Sequence, residues 1–336
     1  MEVFGDLIHT YDIRRSQEDK ATVPTRRRSR PSEAGWATSY PRTWAEGLRK
    51  GIPTVVYAQP RILAGMKLAG ALAVVVAFAL ASADAAPQRR GRFFGFGSPS
   101  VPANPSYDGA FMFCRIWFDN APNGDGNGWF VDYPRADINL SFRFSELTTA
   151  TVSHDGEGGF NHGVYRLTDA AIDRCPFIMM TEPGGAYFSD EEARHLREYL
   201  VRGGFLWADD FWGEYAWAHW EQEIRKALPS GEFKLYDVPI EHPIFHVLYD
   251  VHELPQIPSI NFWMGTGRTS ERGADSAVPH ARAIDDPQGR MVVFMTHNTD
   301  FGDAFEREGE DRRYFDQFAS AGYAVGINVL LYALSH

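Results

Sequence analysis

The pattern of apolar and polar positions changes near residue 110, and a folded domain is predicted from there to residue 336. Short, nearly continuous apolar runs predict strands at 111–118, 176–181, 205–208, 233–238 and 291–296. Between them, apolar residues spaced by three and four predict helices over 137–149, 215–228 and 314–334. A Ser-x-x-Glu capping box at Ser189 starts a further helix, which Gly203 and Gly204 end. Strands of this kind that alternate with helices predict one three-layer α/β domain, with a mostly parallel sheet covered on both faces.

Residues 66–85 have the pattern of a secretory signal peptide. Met66 and Lys67 precede 13 apolar or small residues, and small residues then offer cleavage after Ala83 or Ala85. These features predict an exported protein, periplasmic or extracellular. The apolar run alone is short for a spanning helix. With the small residues up to Ala86 it reaches about 20 residues, so an uncleaved membrane anchor over 66–86 is the alternative.

Residues 1–65 are rich in Arg, Pro and Ser and have neither helical nor strand periodicity. Because a signal peptide acts at the start of a chain, we hypothesise that translation begins at Met66 and that 1–65 is a non-native or disordered extension. The alternative is a basic cytoplasmic tail in front of a membrane anchor, which agrees with the positive-inside rule. Residues 86–109 are predicted to be a linker, since Arg, Gly, Phe, Pro and Ser dominate them.

Composition and charge narrow the classes of function. Hydrophobic residues make up 44% of the chain and aromatic residues 14%, which is enough to bury a core and excludes a wholly disordered protein. The net charge of −11 is uneven, because residues 1–85 hold 12 Lys and Arg against 8 Asp and Glu, and the rest holds 21 against 36. A body this acidic lacks the clustered cations that bind phosphates, so no nucleic-acid partner is expected.

Four segments of the predicted domain carry a family resemblance. They are 191–210, which ends in Gly-Gly-Phe-Leu-Trp-Ala-Asp-Asp; 242–245, His-Pro-Ile-Phe; 292–303, Val-Val-Phe-Met-Thr-His-Asn-Thr-Asp-Phe-Gly-Asp; and 326–334, Gly-Ile-Asn-Val-Leu-Leu-Tyr-Ala-Leu. In this order they resemble the bacterial domain of unknown function 4159 family, over about residues 110–336. The resemblance implies a flavodoxin-like architecture, similar to the class I glutamine amidotransferase-like and trehalose-utilisation-protein folds. It implies no activity.

Polar residues follow three of the predicted strands, at the place where open α/β sheets bind ligands. We call this carboxyl edge of the sheet the rim. The candidate catalytic residues are Asp209, Asp210 and His297, and the candidate ligand-binding residues are Glu182, Gly184, Gly185, Trp212, His242, Asn298, Asp300 and Asp303. Carboxylates that converge either raise one another's pKa for acid–base work or bind a hard divalent cation. The structural alternative is that Asp209 and Asp210 cap the next helix and that Asp300 shapes a turn.

Two hypotheses of function follow from the rim. The chain has neither Gly-x-Ser-x-Gly nor Gly-x-Cys-x-Gly, and Thr181-Glu-Pro-Gly-Gly185 occupies the loop where amidotransferase-like folds place a nucleophile. The first hypothesis is therefore a module without a nucleophile that binds a small-molecule or cell-envelope ligand, or a protein partner, at an acidic and aromatic rim. The second is a cell-envelope hydrolase, acting on a carbohydrate or another envelope substrate, that uses Asp209, Asp210 and His297 with or without a divalent cation.

Other motifs favour ordinary structural roles. The loop 119–128 contains Asn-x-Asp-x-Asn-Gly, but Pro134 stands where a calcium loop needs a bidentate Glu. The glycines of 155–159 lack the spacing of a phosphate-binding loop, so no nucleotide is expected. His242, which precedes Pro243, is either a ligand or base or a satisfied turn residue. Cys114 and Cys175 are expected to be small buried thiols, and a single bridge between them is the alternative for an exported protein.

Overall fold

Seven strands form one sheet at the centre of the domain. The computed structural model describes residue 101 and residues 103–336. The predicted extension 1–65, the signal or anchor segment 66–86 and most of the linker 86–109 lie outside these residues. The strands are β1 Phe113–Ile116, β2 Asp119–Asn120, β3 His162–Tyr165, β4 Phe177–Thr181, β5 Ala186–Tyr187, β6 Phe205–Phe211, β7 Lys234–Asp237, β8 His280–Asp285 and β9 Met291–His297. The main sheet has the order β3-β1-β4-β6-β9-β8-β7, and β2 pairs with β5 as a separate ribbon.

Helices cover both faces of the sheet. They are α1 Arg135–Leu147, α2 Asp190–Val201, α3 Gly213–Ala227, α4 Ile260–Thr266, α5 Phe301–Glu306 and α6 Arg312–Ser335, the last with one π-helical turn at Phe315–Ala319. Apolar side chains of α1, α5 and α6 pack on one face, and those of α2 and α3 pack on the other. The predicted three-layer, flavodoxin-like α/β fold is therefore confirmed. The relationship to amidotransferase-like folds stays a prediction.

Local sequence signals account for several element boundaries. The capping box is formed, because the Ser189 hydroxyl accepts from the backbone N–H of Glu192 while the Glu192 carboxylate accepts from that of Ser189. The helix ends before Gly203, which has a φ of 118° that residues with a Cβ rarely adopt. Helix α1 begins two residues before its predicted start at Asp137 and α6 two before its predicted start at Tyr314.

Two strands that the apolar pattern does not predict complete the sheet. β8 alternates His280 and Arg282 with small residues, and β3 contains a glycine, so neither is a continuous apolar run. β7 and β8 pair antiparallel, as do β8 and β9, whereas β3, β1, β4, β6 and β9 are parallel to one another. The mostly parallel sheet is confirmed, with one edge that is antiparallel.

Helix α6 is the one helix among the described residues that is long and apolar enough to cross a membrane. However, 72% of its most apolar window is buried inside the domain. Helices at the centre of a folded core have the same composition as membrane spans, because they are apolar on every side. We therefore describe α6 as a core helix.

Cys114 and Cys175 form a disulfide, which corrects the expectation of two free thiols. Cys114 lies in β1 and Cys175 lies two residues before β4, the strand that pairs with β1. Their Cα atoms are 6.2 Å apart and both residues are buried. In the sequence, one cysteine lies within an apolar run and the other just before another run. The sequence does not show that these runs are neighbouring parallel strands, and it is this pairing that brings the two thiols together.

A buried ion pair joins the sheet to α1. Arg115 of β1 is fully buried, and its Nε donates to the carboxylate of Asp137, in the first turn of α1, at 3.0 Å. The Nη1 group donates to Thr181 Oγ1 at 2.7 Å and to the carbonyl of Val131 at 2.9 Å. One guanidinium therefore connects β1, β4, α1 and the backbone just before residue 132.

Removal of the disulfide is expected to destabilise the domain. The bridge closes a loop with a sequence separation of 61, for which chain entropy gives roughly 4 kcal/mol. The double variant Cys114→Ala/Cys175→Ala should melt on the order of 10 °C lower than the wild type. Reductant should lower the melting temperature of the wild type and leave that of the variant unchanged. An unchanged wild-type melt, with both thiols shown to be free by mass spectrometry, would contradict this prediction.

Arg115→Met is expected to lower the free energy of unfolding by about 3–5 kcal/mol, because it leaves Asp137 buried without its partner. The double variant Arg115→Met/Asp137→Leu should regain much of this loss, since it removes both charges together. Urea denaturation of Arg115→Met, Asp137→Leu, the double variant and the wild type measures both effects. A double variant that is as unstable as the sum of its single variants would show that the pair does not act as a unit.

Candidate metal centre

The carboxyl ends of three neighbouring strands form the rim. Thr181 at the end of β4 pairs with Asp209 of β6, and Asp209 pairs with Thr296 of β9. Because the three strands are parallel, the residues that follow these positions meet at one edge. The sequence prediction that polar strand ends would be neighbours thus agrees with the strand order.

Three carboxylates come together at this edge. One oxygen atom from each of Asp132, Asp210 and Asp300 lies within 4.8 Å of the others. Asp132 lies on the connection between β2 and α1, Asp210 lies at the end of β6, and Asp300 follows β9. They are 7%, 5% and 4% exposed, respectively, so the cluster is almost wholly removed from solvent. We call these three residues the aspartate triad.

The backbone is strained where it presents the triad. Asp132 has a φ of 62° and Asp210 a φ of 60°, in the left-handed region that side chains with a Cβ rarely adopt. The pairing of β6 with β9 is irregular between Asp209 and Phe211. This irregularity turns Asp210 out of the normal alternation of the strand. Strain of this kind is commonly found at functional sites, where the surrounding structure holds it in place.

Burial and mutual repulsion raise the pKa of each triad carboxyl well above its usual range. Desolvation is the largest cause for all three. Next for Asp132 comes the charge of Asp303, for Asp210 that of Glu182, and for Asp300 that of Asp210. Each further cause that raises these pKa values is another carboxylate. The site therefore favours a positive charge, whether a proton or a metal ion.

One triad oxygen lacks a hydrogen bond. Asp132 Oδ2 is buried and has no hydrogen-bond partner among the described residues. It lies against Gly302, where an added Cβ would be 2.2 Å from this oxygen. Residue 302 therefore has to be a glycine for the carboxylate to occupy this place. A buried acceptor without a donor costs free energy, and a cation beside it would remove that cost.

Asp209 lies next to the triad, and its hydrogen bonds hold the first turn of α5 in place. Its Oδ2 accepts from the backbone N–H groups of Phe301 at 2.8 Å and Gly302 at 3.0 Å. Its Oδ1 accepts from the hydroxyl of Thr296, which in turn accepts from the indole N–H of Trp207. Burial raises the pKa of Asp209 to about 7. Since both oxygens are engaged with protein groups, Asp209 positions α5 and is not a free base. Asp209 therefore caps α5. The structural alternative in the sequence analysis had it cap the next helix in the chain, which is α3.

In Asp210 and in Asp300, one carboxylate oxygen accepts a hydrogen bond from another residue. The indole N–H of Trp212 donates to Asp210 Oδ1 at 2.9 Å, and the backbone N–H of Asp303 donates to Asp300 Oδ1 at 2.6 Å. Asp300 is thus the N-cap of α5 as well as a member of the triad. Bonds of this kind orient a carboxylate and leave its second oxygen for another ligand.

A second acidic group overlaps the triad. Asp132, Asp303 and Glu306 also each offer an oxygen within 4.8 Å of the others, so Asp132 belongs to both groups. Asp303 Oδ2 accepts from the backbone N–H of Ile260 at 2.6 Å and from the hydroxyl of Tyr314 at 3.2 Å. The predicted rim residue Asp303 therefore lies beside the triad and not within it.

The segment that contains Glu182, Gly184 and Gly185 packs beside the loop 119–128. The carboxylate of Glu182 accepts from the side chain of Asn127 at 3.0 Å and from the backbone N–H groups of Asn127 and Gly128. A Cβ at Gly184 would lie 2.7 Å from the Cβ of Ala216, which explains the glycine by packing against α3. Burial raises the pKa of Glu182 to about 7. Glu182 is close enough to repel Asp210, but its contacts are with the loop 119–128.

His297 and Asn298 are turned away from the triad. The ring of His297 packs between Phe211 and Trp217, on the face covered by α2 and α3. Its Nε2 donates to the carbonyl of Gly213 at 3.1 Å, and its Nδ1 accepts from Arg282 at 3.2 Å. Burial lowers the pKa of His297 to about 4, so the ring is neutral at pH 7. The side chain of Asn298 is similarly engaged, with the backbone of Gly213 and of Val278.

His242 lies at the other end of the sheet. Its Nδ1 accepts from the backbone N–H of Ile244 at 3.2 Å, and its ring packs 5.7 Å from that of Tyr332. It interacts electrostatically with Asp285, which pairs with Met291 at the start of β9. Burial lowers the pKa of His242. The structure therefore does not bring His242 to the rim.

Asp132 and Glu306 are site residues that the sequence patterns did not indicate. Asp132 comes 16 residues after the end of β1, beyond the Gly- and Asn-rich loop 119–128. One feature of the sequence could have indicated Asp132. It lies just before α1, at the end of the connection that starts from a central strand. Glu306 follows Asp303 by three residues on α5, which is the spacing that places two side chains on one helix face.

Carboxylate oxygens in this arrangement suit a hard divalent cation such as Mg²⁺, Ca²⁺ or Mn²⁺. Oxygens on opposite sides of one ion are at most about 4.8 Å apart when each metal–oxygen distance is about 2.4 Å. The triad oxygens are within that limit. Asp132, Asp210 and Asp300 would thus hold the ion.

Comparison with known proteins gives the family of the chain. No curated protein matches it. The family described as Domain of unknown function (DUF4159) matches residues 120–334, which is more than half of the chain and includes every member of the two acidic groups. The match agrees with the resemblance seen in the four sequence segments, and the chain belongs to the DUF4159 family.

Proposed function

We propose that this chain is an exported binding module whose aspartate triad holds a divalent cation, through which the module takes up a ligand or a protein partner. The observation that carries the proposal is that Asp132, whose buried Oδ2 has no hydrogen-bond partner among the described residues, is one of three converging carboxylates. A divalent ion would give that oxygen a partner and would offset the repulsion among the three carboxylate charges.

The triad supports cation binding better than acid–base catalysis. Of the three candidate catalytic residues, Asp209 has both oxygens hydrogen-bonded to the protein, and His297 has both ring nitrogens engaged on the opposite face. Only Asp210 belongs to the triad. A general base needs a free atom within reach of the proton that it takes, which neither Asp209 nor His297 offers in this arrangement.

A cell-envelope hydrolase is the second candidate function. It is favoured by one observation, namely that Asp132 belongs to two acidic groups at once. Pairs of metal ions that share a ligand polarise a substrate and activate water without a protein nucleophile. Such a mechanism would not need the nucleophile that the loop 181–185 lacks.

Export is supported by the disulfide as well as by the signal-like segment. Disulfides persist in oxidising compartments and are rare in the reducing cytosol. The bond between Cys114 and Cys175 lies in the core of the domain, between β1 and the start of β4. The two arguments are independent, because one rests on residues 66–85 and the other on the folded domain.

Addition of a divalent cation should raise the melting temperature of the purified chain. A ligand at 100 times its Kd stabilises the native state by about 2.7 kcal/mol, which corresponds to several degrees. Asp300→Asn should abolish this rise, while the Asn side chain can still cap α5. Without cation, this variant should be at least as stable as the wild type, because one of three mutually repelling charges is gone.

Thermal denaturation in EDTA, Mg²⁺, Ca²⁺ or Mn²⁺ measures these effects. Asp316→Asn is the matched control, since it makes the same chemical change on an exposed side chain of α6 and should keep the full response. The proposal fails if no cation raises the melting temperature of the wild type, or if Asp300→Asn responds as the wild type does.

A further inference from the structure

The second acidic group shares one residue with the triad and is built by the same short helix. Asp300 precedes α5, Asp303 lies in its first turn, and Glu306 is its last residue. Residues three apart lie on one face of a helix, so α5 directs Asp303 and Glu306 to the same side. Asp132, on the connection before α1, faces both groups. Its buried Oδ2 lies against Gly302, which stands between Asp300 and Asp303 in the chain.

Charge balance indicates more than one cation. The two groups together contain five carboxylates, and the buried Asp209 lies next to them. Arg115 is paired with Asp137, and Arg307 is shared among Asp303, Glu306 and Glu310. Arg135 lies 3.9 Å from Glu310, so among the described residues the cation in contact with Asp303 and Glu306 is Arg307. With one divalent ion in the triad, these two carboxylates would still carry an excess of negative charge, which a second cation would offset.

The contacts of the second group leave one carboxylate oxygen of Asp303 with a single long contact. Arg307 contacts Glu306 Oε2 at 2.7 Å and Glu310 Oε1 at 2.8 Å, whereas its distance to Asp303 Oδ1 is 3.4 Å. The contacts with Glu306 and Asp303 are made by the same atom, Arg307 Nε, and the arginine side chain is 31% exposed. Asp303 is oriented by Ile260 and Tyr314 through Oδ2, and its Oδ1 has only the long contact with Arg307. Oriented carboxylates with one open oxygen are typical metal ligands.

We propose that Asp132, Asp303 and Glu306 form a second divalent-cation site, with Asp132 as the carboxylate that bridges two ions. The proposal rests on the proposed function, because the first ion is the one in the triad. Two ions that share a carboxylate lie about 4 Å apart and can bind an oxyanion, such as a phosphate group, between them. Such a centre would let the module take up an oxyanion ligand, and it is also the arrangement that the second candidate function, a hydrolase, would use.

Mn²⁺ is the probe that distinguishes one site from two. Equilibrium dialysis counts the Mn²⁺ ions bound to each purified chain, and electron paramagnetic resonance shows whether two bound ions are magnetically coupled. The wild type should bind two ions with a coupled spectrum. Glu306→Gln should bind one ion with an uncoupled spectrum, Asp132→Asn should weaken both sites, and Asp316→Asn should match the wild type.

The outcomes separate the two proposals. One uncoupled ion in the wild type, with Glu306→Gln unchanged, would overturn the second site and leave the triad proposal intact. Two ions without magnetic coupling would overturn the bridging role of Asp132. Binding of no ion by the wild type would overturn the proposed function and the second site together. Circular dichroism of each variant confirms that lost binding does not come from unfolding.

Discussion

Repulsion among carboxylates that the fold has removed from water is the constraint on which the architecture of the rim depends. Asp132, Asp210 and Asp300 come from three separate parts of the chain, and each would be better solvated if it were separated from the others. The framework beneath keeps them together. Arg115 fixes the backbone just before Asp132, and Asp209 fixes the first turn of the helix that follows Asp300. These two buried groups stabilise positions that the triad alone would not keep.

The fold could be predicted from sequence wherever one local pattern decided the outcome. The capping box at Ser189 marked a helix start, and continuous apolar runs indicated the central strands β4, β6 and β9. Because parallel strands end at one edge, the same runs also predicted that Asp210 and Asp300 lie in one neighbourhood. What local patterns could not give was the antiparallel edge, since β8 alternates polar residues with small ones and carries little hydrophobic signal.

The remainder of the site depends on the direction of side chains, which sequence spacing does not contain. His297 and Thr296 are neighbours in β9, yet the first faces α2 and α3 while the second binds Asp209 on the other face. Period-two alternation of the strand causes this separation and removes the histidine from the triad. Asp132 was missed for a different reason, namely its distance in sequence from the strand. It lies 16 residues after its strand in sequence, and the fold of the long connection, with a left-handed backbone at this residue, cannot be inferred from spacing.

The strand order has a consequence for how the chain reaches its folded state. β9 lies between β6 and β8, although it is the last strand to be synthesised, and α6 covers β4 from the far end of the chain. The first half of the domain thus has an open sheet edge and an uncovered apolar face until residues 291–335 are available. Contacts so distant in sequence fold slowly, and partly made chains with such surfaces tend to associate. A chain arranged in this way completes its sheet and covers its core only after its carboxyl-terminal helix has been made.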